Sequence, residues 1–168
     1  MPAAKVSLRP PAAADQKEFL ARARASRALH GRWIQAPETA AAFRKLLERV
    51  NGPGHCGLLV CERGTEDIAG AIIISNIILG AFRSGYTGYY AFAGYEGRGL
   101  MREGLRAAVR HAFGELGLHR LEANIQPDNA ASIALARSCG FALEGYSPRY
   151  LKIAGRWRDH ERWAIRAS

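Results

Sequence analysis

The stretch Ala91-Phe92-Ala93-Gly94-Tyr95-Glu96-Gly97-Arg98-Gly99-Leu100-Met101 joins the end of a strand pattern to the start of a helical pattern. Its glycines permit a tight turn whose backbone N–H groups a ligand can approach closely. The unpaired N–H groups and the dipole of the following helix suit a pyrophosphate, and Arg98 and Arg102 could add positive charge. Gly97 and Gly99 alone fall short of the dinucleotide fingerprint, and no Walker lysine follows. A plain turn without a ligand is the alternative interpretation.

Strand and helix patterns alternate on both sides of this turn. Downstream, apolar residues at helical spacing predict a long helix over residues 98–116, a strand at Arg120–Ile125 and a short helix over residues 129–138. We also predict strands at 5–9, 57–61, 68–77, 85–93, 146–153 and 157–165, and helices at 15–29 and 39–50. This order indicates an α+β fold with a mixed, mostly antiparallel sheet of about seven strands, flanking helices and a β-α-β-α-β unit in the second half.

The composition argues against a disulfide-rich, metal-binding or membrane-spanning protein. The chain has 168 residues, 48% of them hydrophobic, which is enough for one substantial core, and its net charge of +9 favours anionic partners. Three cysteines without a Cys-x-x-Cys pair and five scattered histidines predict neither a disulfide framework nor a metal site. The longest apolar stretch is interrupted by polar residues and is too short for a membrane span. We therefore expect a cytoplasmic protein with no membrane partner.

A second group of motifs follows about thirty residues after the glycine-rich turn. Pro127-Asp128-Asn129-Ala130-Ala131-Ser132 begins the short helix, and Ser138-Cys139-Gly140-Phe141 ends it. With the turn, Ser75-Asn76 and the segment from Tyr150-Leu151 to Trp157-Arg158-Asp159-His160, these residues resemble the GNAT superfamily of acetyl-CoA-dependent N-acetyltransferases. The resemblance is to the RimJ/RimL type, which acetylates the N-termini of ribosomal proteins. It covers about residues 68–165 and implies a single GNAT domain over residues 1–168, with acetyl-CoA as cosubstrate.

The resemblance also implies where acetyl-CoA binds. The backbone of Ala91, Phe92 and Ala93 would bond to the pantetheine arm as to an added strand, where two neighbouring strands splay. Asn129 would face the pantetheine, and Ser132 would lie near the thioester sulfur. The turn that cradles the pyrophosphate would consist of Glu96, Gly97, Arg98, Gly99, Leu100, Met101 and Arg102. The family usually has Gln or Arg where this chain has Glu96, and a small residue where it has Met101, but the backbone amides remain.

The catalytic residues depart from the family pattern. Many GNAT enzymes have a Glu on the fifth strand and a Tyr in the next helix, and these positions hold Asn124 and Ala136 here. Glu122 lies two residues before Asn124, so strand alternation points both side chains to one face. We predict that Glu122 relays a proton from the amine through water to solvent, that Asn124 orients this chain of water, and that Ser132 meets the leaving thiolate.

Each of these residues also has a structural explanation. An ion pair with Arg120 or Arg149 explains Glu122 slightly better than a role as a base does, and a hydrogen bond near a sheet edge explains Asn124. Asn129 and Ser132 fit the cap and first turn of a helix, and they could fulfil both roles.

The sequence is compatible with three functions, two of them acetyl transfer to different acceptors. A protein N-terminal α-amine titrates near pH 8, below a lysine side chain, and so needs less help from a base. The second candidate is a small-molecule amine such as an aminoglycoside, a polyamine or an amino-acid analogue. The third is a ribosome- or RNA-associated binding module that uses the basic C-terminal hairpin, although a solvated basic face explains that hairpin better. For the oligomeric state, the sequence is compatible with a monomer or a homodimer.

Overall fold

The computed structural model describes residues 2–168 and contains one seven-stranded sheet. The strands are β1 (Val6–Arg9), β2 (Cys56–Glu62), β3 (Ile68–Ile78), β4 (Ser84–Ala91), β5 (Arg120–Ile125), β6 (Ala142–Ile153) and β7 (Arg156–Arg166). Their order across the sheet is β1-β2-β3-β4-β5-β7-β6, and every neighbouring pair is antiparallel except β4 and β5. The mixed, mostly antiparallel seven-stranded sheet predicted from the sequence is confirmed.

Five helices flank the sheet. They are α1 (Gln16–Ala25), α2 (Arg27–His30), α3 (Ala40–Val50), α4 (Leu100–Gly114) and α5 (Ala130–Ser138), with a short 3-10 turn at Ala13–Asp15. The succession β4-α4-β5-α5-β6 is the predicted β-α-β-α-β unit. Within residues 2–168, no helix combines the length and the apolar character that crossing a bilayer requires.

Two apolar clusters hold the helices against the sheet. On one face, α4 buries Leu105 and Ala108 in the same cluster as Leu121 of β5. On the other face, Phe19 of α1 lies 5.1 Å from Phe43 of α3 and 5.2 Å, edge to face, from Phe92, measured between ring centroids. All three phenylalanines are fully buried, and this cluster fixes the chain just after β4.

The first predicted helix is interrupted in the structure. Residues 15–29 form α1 and α2, separated at Ser26, whose Oγ donates a 2.6 Å hydrogen bond to the Arg22 carbonyl. A serine hydroxyl competes in this way with the helical backbone bonds. Asp15 does not cap α1 with its side chain, because its carboxylate accepts hydrogen bonds from Arg9 and from the Ala12 N–H instead.

The other predicted elements differ mainly at their ends. Thr39 caps α3, since its Oγ1 accepts from the Ala42 N–H at 3.1 Å. The long helix predicted over residues 98–116 is shorter, because Gly99 precedes it with a positive φ of 78° and the helix ends at Gly114. The closing hairpin is longer than predicted and begins at Ala142.

Candidate active site

A cavity of about 300 Å³ opens where β4 and β5 part. The two strands pair only from Ser84 to Tyr86 and from Arg120 to Glu122, so the rest of β4 has no neighbour on that side. Four segments surround the opening: the end of β4, the glycine-rich turn, the start of α5, and the chain around His30 and Trp33. The family resemblance implied such a splay between neighbouring strands.

The glycine-rich turn presents free backbone amides to this cavity. Gly97 and Gly99 have φ values of 73° and 78°, a region that L side chains rarely adopt. The first helical bond of α4 runs from the Glu103 N–H to the Gly99 carbonyl, and no side chain of residues 2–168 caps the start of the helix. The N–H groups of residues 100–102 therefore have no intrahelical acceptor and lie at the positive end of the helix dipole. Such an arrangement is suited to binding an anion.

The charges around the turn are arranged differently from the sequence prediction. Arg98 is bound to Glu62 in an ion pair and is absent from the cavity wall. Arg102 lines the cavity and makes no ion pair within residues 2–168, so it is the cation available to an anionic ligand. Glu96 also lines the cavity, and its carboxylate accepts a 2.7 Å hydrogen bond from the Gly94 N–H.

Of the three residues predicted to bond the pantetheine arm, only Ala91 faces the cavity. The Phe92 N–H donates to the Ala69 carbonyl at 2.8 Å, and the Ala93 N–H donates to Ser26 Oγ at 2.8 Å. Both amides are used because β4 ends at Ala91 and the chain turns into the core. The cavity wall comes instead from residues 89–91, two positions earlier in the chain.

The Ala91 carbonyl already has a partner. His30 Nε2 lies 2.8 Å from that oxygen, which can only accept, so Nε2 carries the proton. The imidazole is buried and packs edge to face on Tyr90, with ring centroids 5.3 Å apart. His30 thus fixes the end of β4 from the helical side of the cavity. No local sequence pattern predicts this contact, which joins residues 61 positions apart.

Ser132 lines the cavity beside a tyrosine that sequence reasoning missed. Ser132 Oγ donates a 3.0 Å hydrogen bond to the Tyr89 hydroxyl, and that hydroxyl donates at 3.1 Å to the Ser132 carbonyl. Burial raises the pKa of Tyr89 to about 12, so the phenol keeps its proton at neutral pH. Asn129 caps α5, since its Oδ1 accepts from the Ser132 N–H at 3.3 Å. Asn129 therefore caps the helix while Ser132 lines the cavity, which is compatible with the two roles expected from the sequence.

The two predicted catalytic residues of β5 lie outside the cavity wall. Glu122 is buried, with Oε1 3.7 Å from the Arg120 guanidinium, while Arg120 pairs more closely with Glu144 at 2.7 Å. The ion-pair interpretation of Glu122 therefore has a partner in Arg120. Asn124 lies on the same face of β5, and its Oδ1 is buried without a hydrogen-bond donor among residues 2–168.

The geometry can now be compared with known proteins. Residues 5–142 match the family model described as an acetyltransferase (GNAT) domain. The chain belongs to this GNAT family. The resemblance inferred from the sequence is thereby confirmed, and so is the GNAT fold.

The relatives of this GNAT domain include enzymes of the predicted type. The chain is 38% identical over 111 residues to the probable N-acetyltransferase YjcK of Bacillus subtilis (strain 168), covering 66% of this chain and 60% of that protein. It is 41% identical over 95 residues to the [ribosomal protein uS5]-alanine N-acetyltransferase of Escherichia coli (strain K12), covering 56% of this chain and 49% of that protein. The matches thus span only about half to three fifths of these relatives.

A solved structure matches over nearly the whole chain. RimJ of Mycobacterium smegmatis in complex with CoA-disulfide superimposes with a TM-score of 0.88 at 26% identity, covering 96% of this chain and 82% of that chain. This structurally similar protein has thus been solved with CoA-disulfide bound.

Proposed function

We propose that this GNAT domain transfers an acetyl group from acetyl-CoA to a primary amine, and that the amine is the N-terminal α-amino group of a protein. The observation that carries the proposal is the parting of β4 and β5 over one cavity, with free amides at one end and the Ser132–Tyr89 pair beside them. The E. coli relative, which is named for acetylating an alanine of a ribosomal protein, supports the choice of acceptor.

The residues around the cavity fit acetyl-CoA, which supplies the activated acetyl thioester when bound. The N–H groups of residues 100–102, with Arg102, would hold the diphosphate. The backbone of residues 89–91 would run beside the pantetheine arm, because β5 has already diverged there. The side chains of Asn129 and Ser132 lie on the opposite wall.

Transfer forms a bond between the amine nitrogen and the acetyl carbon and breaks the carbon–sulfur bond. The thiolate must therefore gain a proton, and the amine must lose one. Ser132 Oγ would turn its proton from Tyr89 to the thiolate, and the Tyr89 hydroxyl, 3.0 Å from Ser132 Oγ, would turn from the Ser132 carbonyl to replace that proton. Tyr89 thus takes the place of the helix tyrosine that is Ala136 in this chain.

The amine needs a hydrogen-bond acceptor to orient it and a route by which its proton leaves. Asn124 Oδ1, outside the cavity wall, is a buried acceptor without a donor among residues 2–168, and the N–H of an amine bound on that face of β5 would satisfy it. Glu122, on the same face, is assigned as the water-mediated proton relay. Its contact with Arg120 is the competing structural role, and a rate and pH profile unchanged in Glu122→Gln would remove the assignment.

Two measurements test the proposed function. Acetyl-CoA at about 100 times its Kd should stabilise the domain by about 2.7 kcal/mol. That corresponds to about 5–10 °C in melting temperature for a domain of this size. Thiol release should then appear with N-terminal peptides in a panel that also contains polyamines and aminoglycosides. No stabilisation at millimolar acetyl-CoA, and no thiol release with any amine, would contradict the proposal.

A further inference from the structure

A second cavity, of about 380 Å³, adjoins the first along β4. Ile34, Tyr89 and Tyr90 line both cavities, so the two cavities share a wall and an elongated ligand that passes along it can contact both. Gly88 forms part of the wall, and apart from Gly88 and its two chain neighbours no atom of residues 2–168 lies within 4 Å of the Cβ that a side chain would have there. The strand therefore leaves this second cavity open beside Gly88. We call this second cavity the arginine pocket, after Arg49 of α3 in its wall.

The arginine pocket contains polar atoms without partners. Tyr90 Oη and His55 Nδ1 are buried and make no hydrogen bond within residues 2–168. Buried polar atoms are nearly always paired in folded proteins, so two in one wall indicate a ligand that supplies the partners. The Ser75 side chain belongs to the same wall.

The charge of the pocket is positive. Arg49 is exposed, and no carboxylate of residues 2–168 lies within 4 Å of it. Arg49 and Tyr90 also line a neighbouring cavity, whose wall includes Lys45. A guanidinium, a phenol and a hydroxyl all donate hydrogen bonds, and an imidazole nitrogen can do so as well. Such a set binds the oxygens of a carboxylate and repels a cation.

We propose that the arginine pocket binds a carboxylate of the acceptor while the acceptor amine lies beside Ser132. The inference rests on the proposed function and narrows it. The preferred acceptors are peptides with an acidic residue shortly after the reactive N-terminus, and polyamines are excluded by the charge of Arg49. Tyr90 separates the two cavities and contributes its unpaired hydroxyl to the carboxylate.

The test compares peptide amides of the form Ala-Xaa-Xaa-Xaa, with one Glu placed in turn at positions 2, 3 and 4, against the same peptides with Gln. With wild-type protein, at least one Glu peptide should have a KM about tenfold lower than its Gln partner. A tenfold difference corresponds to about 1.4 kcal/mol of binding free energy, which one charge-assisted hydrogen bond provides. Arg49→Gln should abolish that difference while kcat stays within about twofold, and Tyr90→Phe should reduce it. Spermidine should be a poor acceptor.

Arg44→Gln is the matched control, because Arg44 is also an exposed arginine of α3 and lines neither cavity. It should behave as the wild type. The inference is overturned if no Glu peptide is preferred, if Arg49→Gln and Arg44→Gln give the same KM values, or if spermidine matches the Glu peptides. Each of these results would leave thiol release and stabilisation by acetyl-CoA intact. Failure of the inference is therefore distinguishable from failure of the proposed function.

Discussion

Replacing Tyr89 by phenylalanine tests the proton-donating pair directly. The substitution removes the 3.0 Å bond from Ser132 Oγ and the 3.1 Å bond to the Ser132 carbonyl. Both bonds are partly buried, so the loss should cost about 1–3 kcal/mol of folding free energy. That corresponds to a fall in melting temperature of about 2–12 °C for a domain of this size.

The Tyr89→Phe substitution should also lower kcat, by more than its effect on folding stability alone would produce. General acid catalysis typically raises a reaction rate about 10²- to 10⁴-fold. Because Ser132 remains in Tyr89→Phe, we expect kcat to fall about 10- to 100-fold. The KM for acetyl-CoA should change little, since the phenol contacts Ser132 and not the anion site. Steady-state thiol release at a temperature where both proteins are folded measures both quantities.

A more acidic leaving thiol separates a chemical role from a structural one. A thioester whose thiol has a lower pKa needs less protonation, so it should restore most of the rate lost in Tyr89→Phe. Tyr146→Phe is the control, because Tyr146 is an exposed tyrosine whose hydroxyl bonds Asp159 at 2.5 Å. The assignment of Tyr89 as a proton donor is wrong if the more acidic leaving thiol raises kcat by the same factor in the wild type and in Tyr89→Phe. It is also wrong if Tyr89→Phe retains full kcat.

Three further perturbations concern the anion site and the folded state. Glu96→Gln should tighten acetyl-CoA binding about three- to tenfold in calorimetry, because it removes a negative charge beside the diphosphate; equal or weaker binding would count against that placement. Gly99→Ala should destabilise the fold by about 1–2 kcal/mol in urea unfolding, since Gly99 has a φ of 78°, and should weaken acetyl-CoA binding. The hydrogen bonds from Arg9 lower the pKa of Asp15, so this carboxylate stabilises the fold above about pH 4 and that stability is lost as pH falls further. Asp15→Asn should therefore lower the melting temperature at pH 7 and flatten its dependence on pH between about 5 and 3, whereas an unchanged slope would refute the linkage.

Local patterns in the sequence predicted much of the fold. The strand at Arg120–Ile125 was predicted at its observed bounds, because its apolar residues alternate and Gly117 precedes it. Thr39 and Asn129 were recognised as helix caps from residue type and position alone. The break at Ser26 was missed, since a serine within a helical pattern does not reveal whether its hydroxyl bonds the backbone or points to solvent.

The site was predictable where one segment forms it and unpredictable where distant segments meet. The anion turn follows from glycines that are adjacent in the chain, and the structure places Glu96, Gly97, Gly99 and residues 100–102 on the cavity wall. The contacts of Tyr89 with Ser132 and of His30 with Ala91 join residues 43 and 61 positions apart. No local pattern encodes such pairs. The same limit explains why the cavity-facing part of β4 was assigned two residues too far along the chain.

Amide NMR during a titration with coenzyme A examines the anion turn itself. If the diphosphate is held by the main chain at the start of α4, the Leu100, Met101 and Arg102 amide protons should shift markedly downfield and exchange more slowly with solvent. Saturating coenzyme A that leaves these three amides unchanged while perturbing signals elsewhere would contradict the assigned binding site.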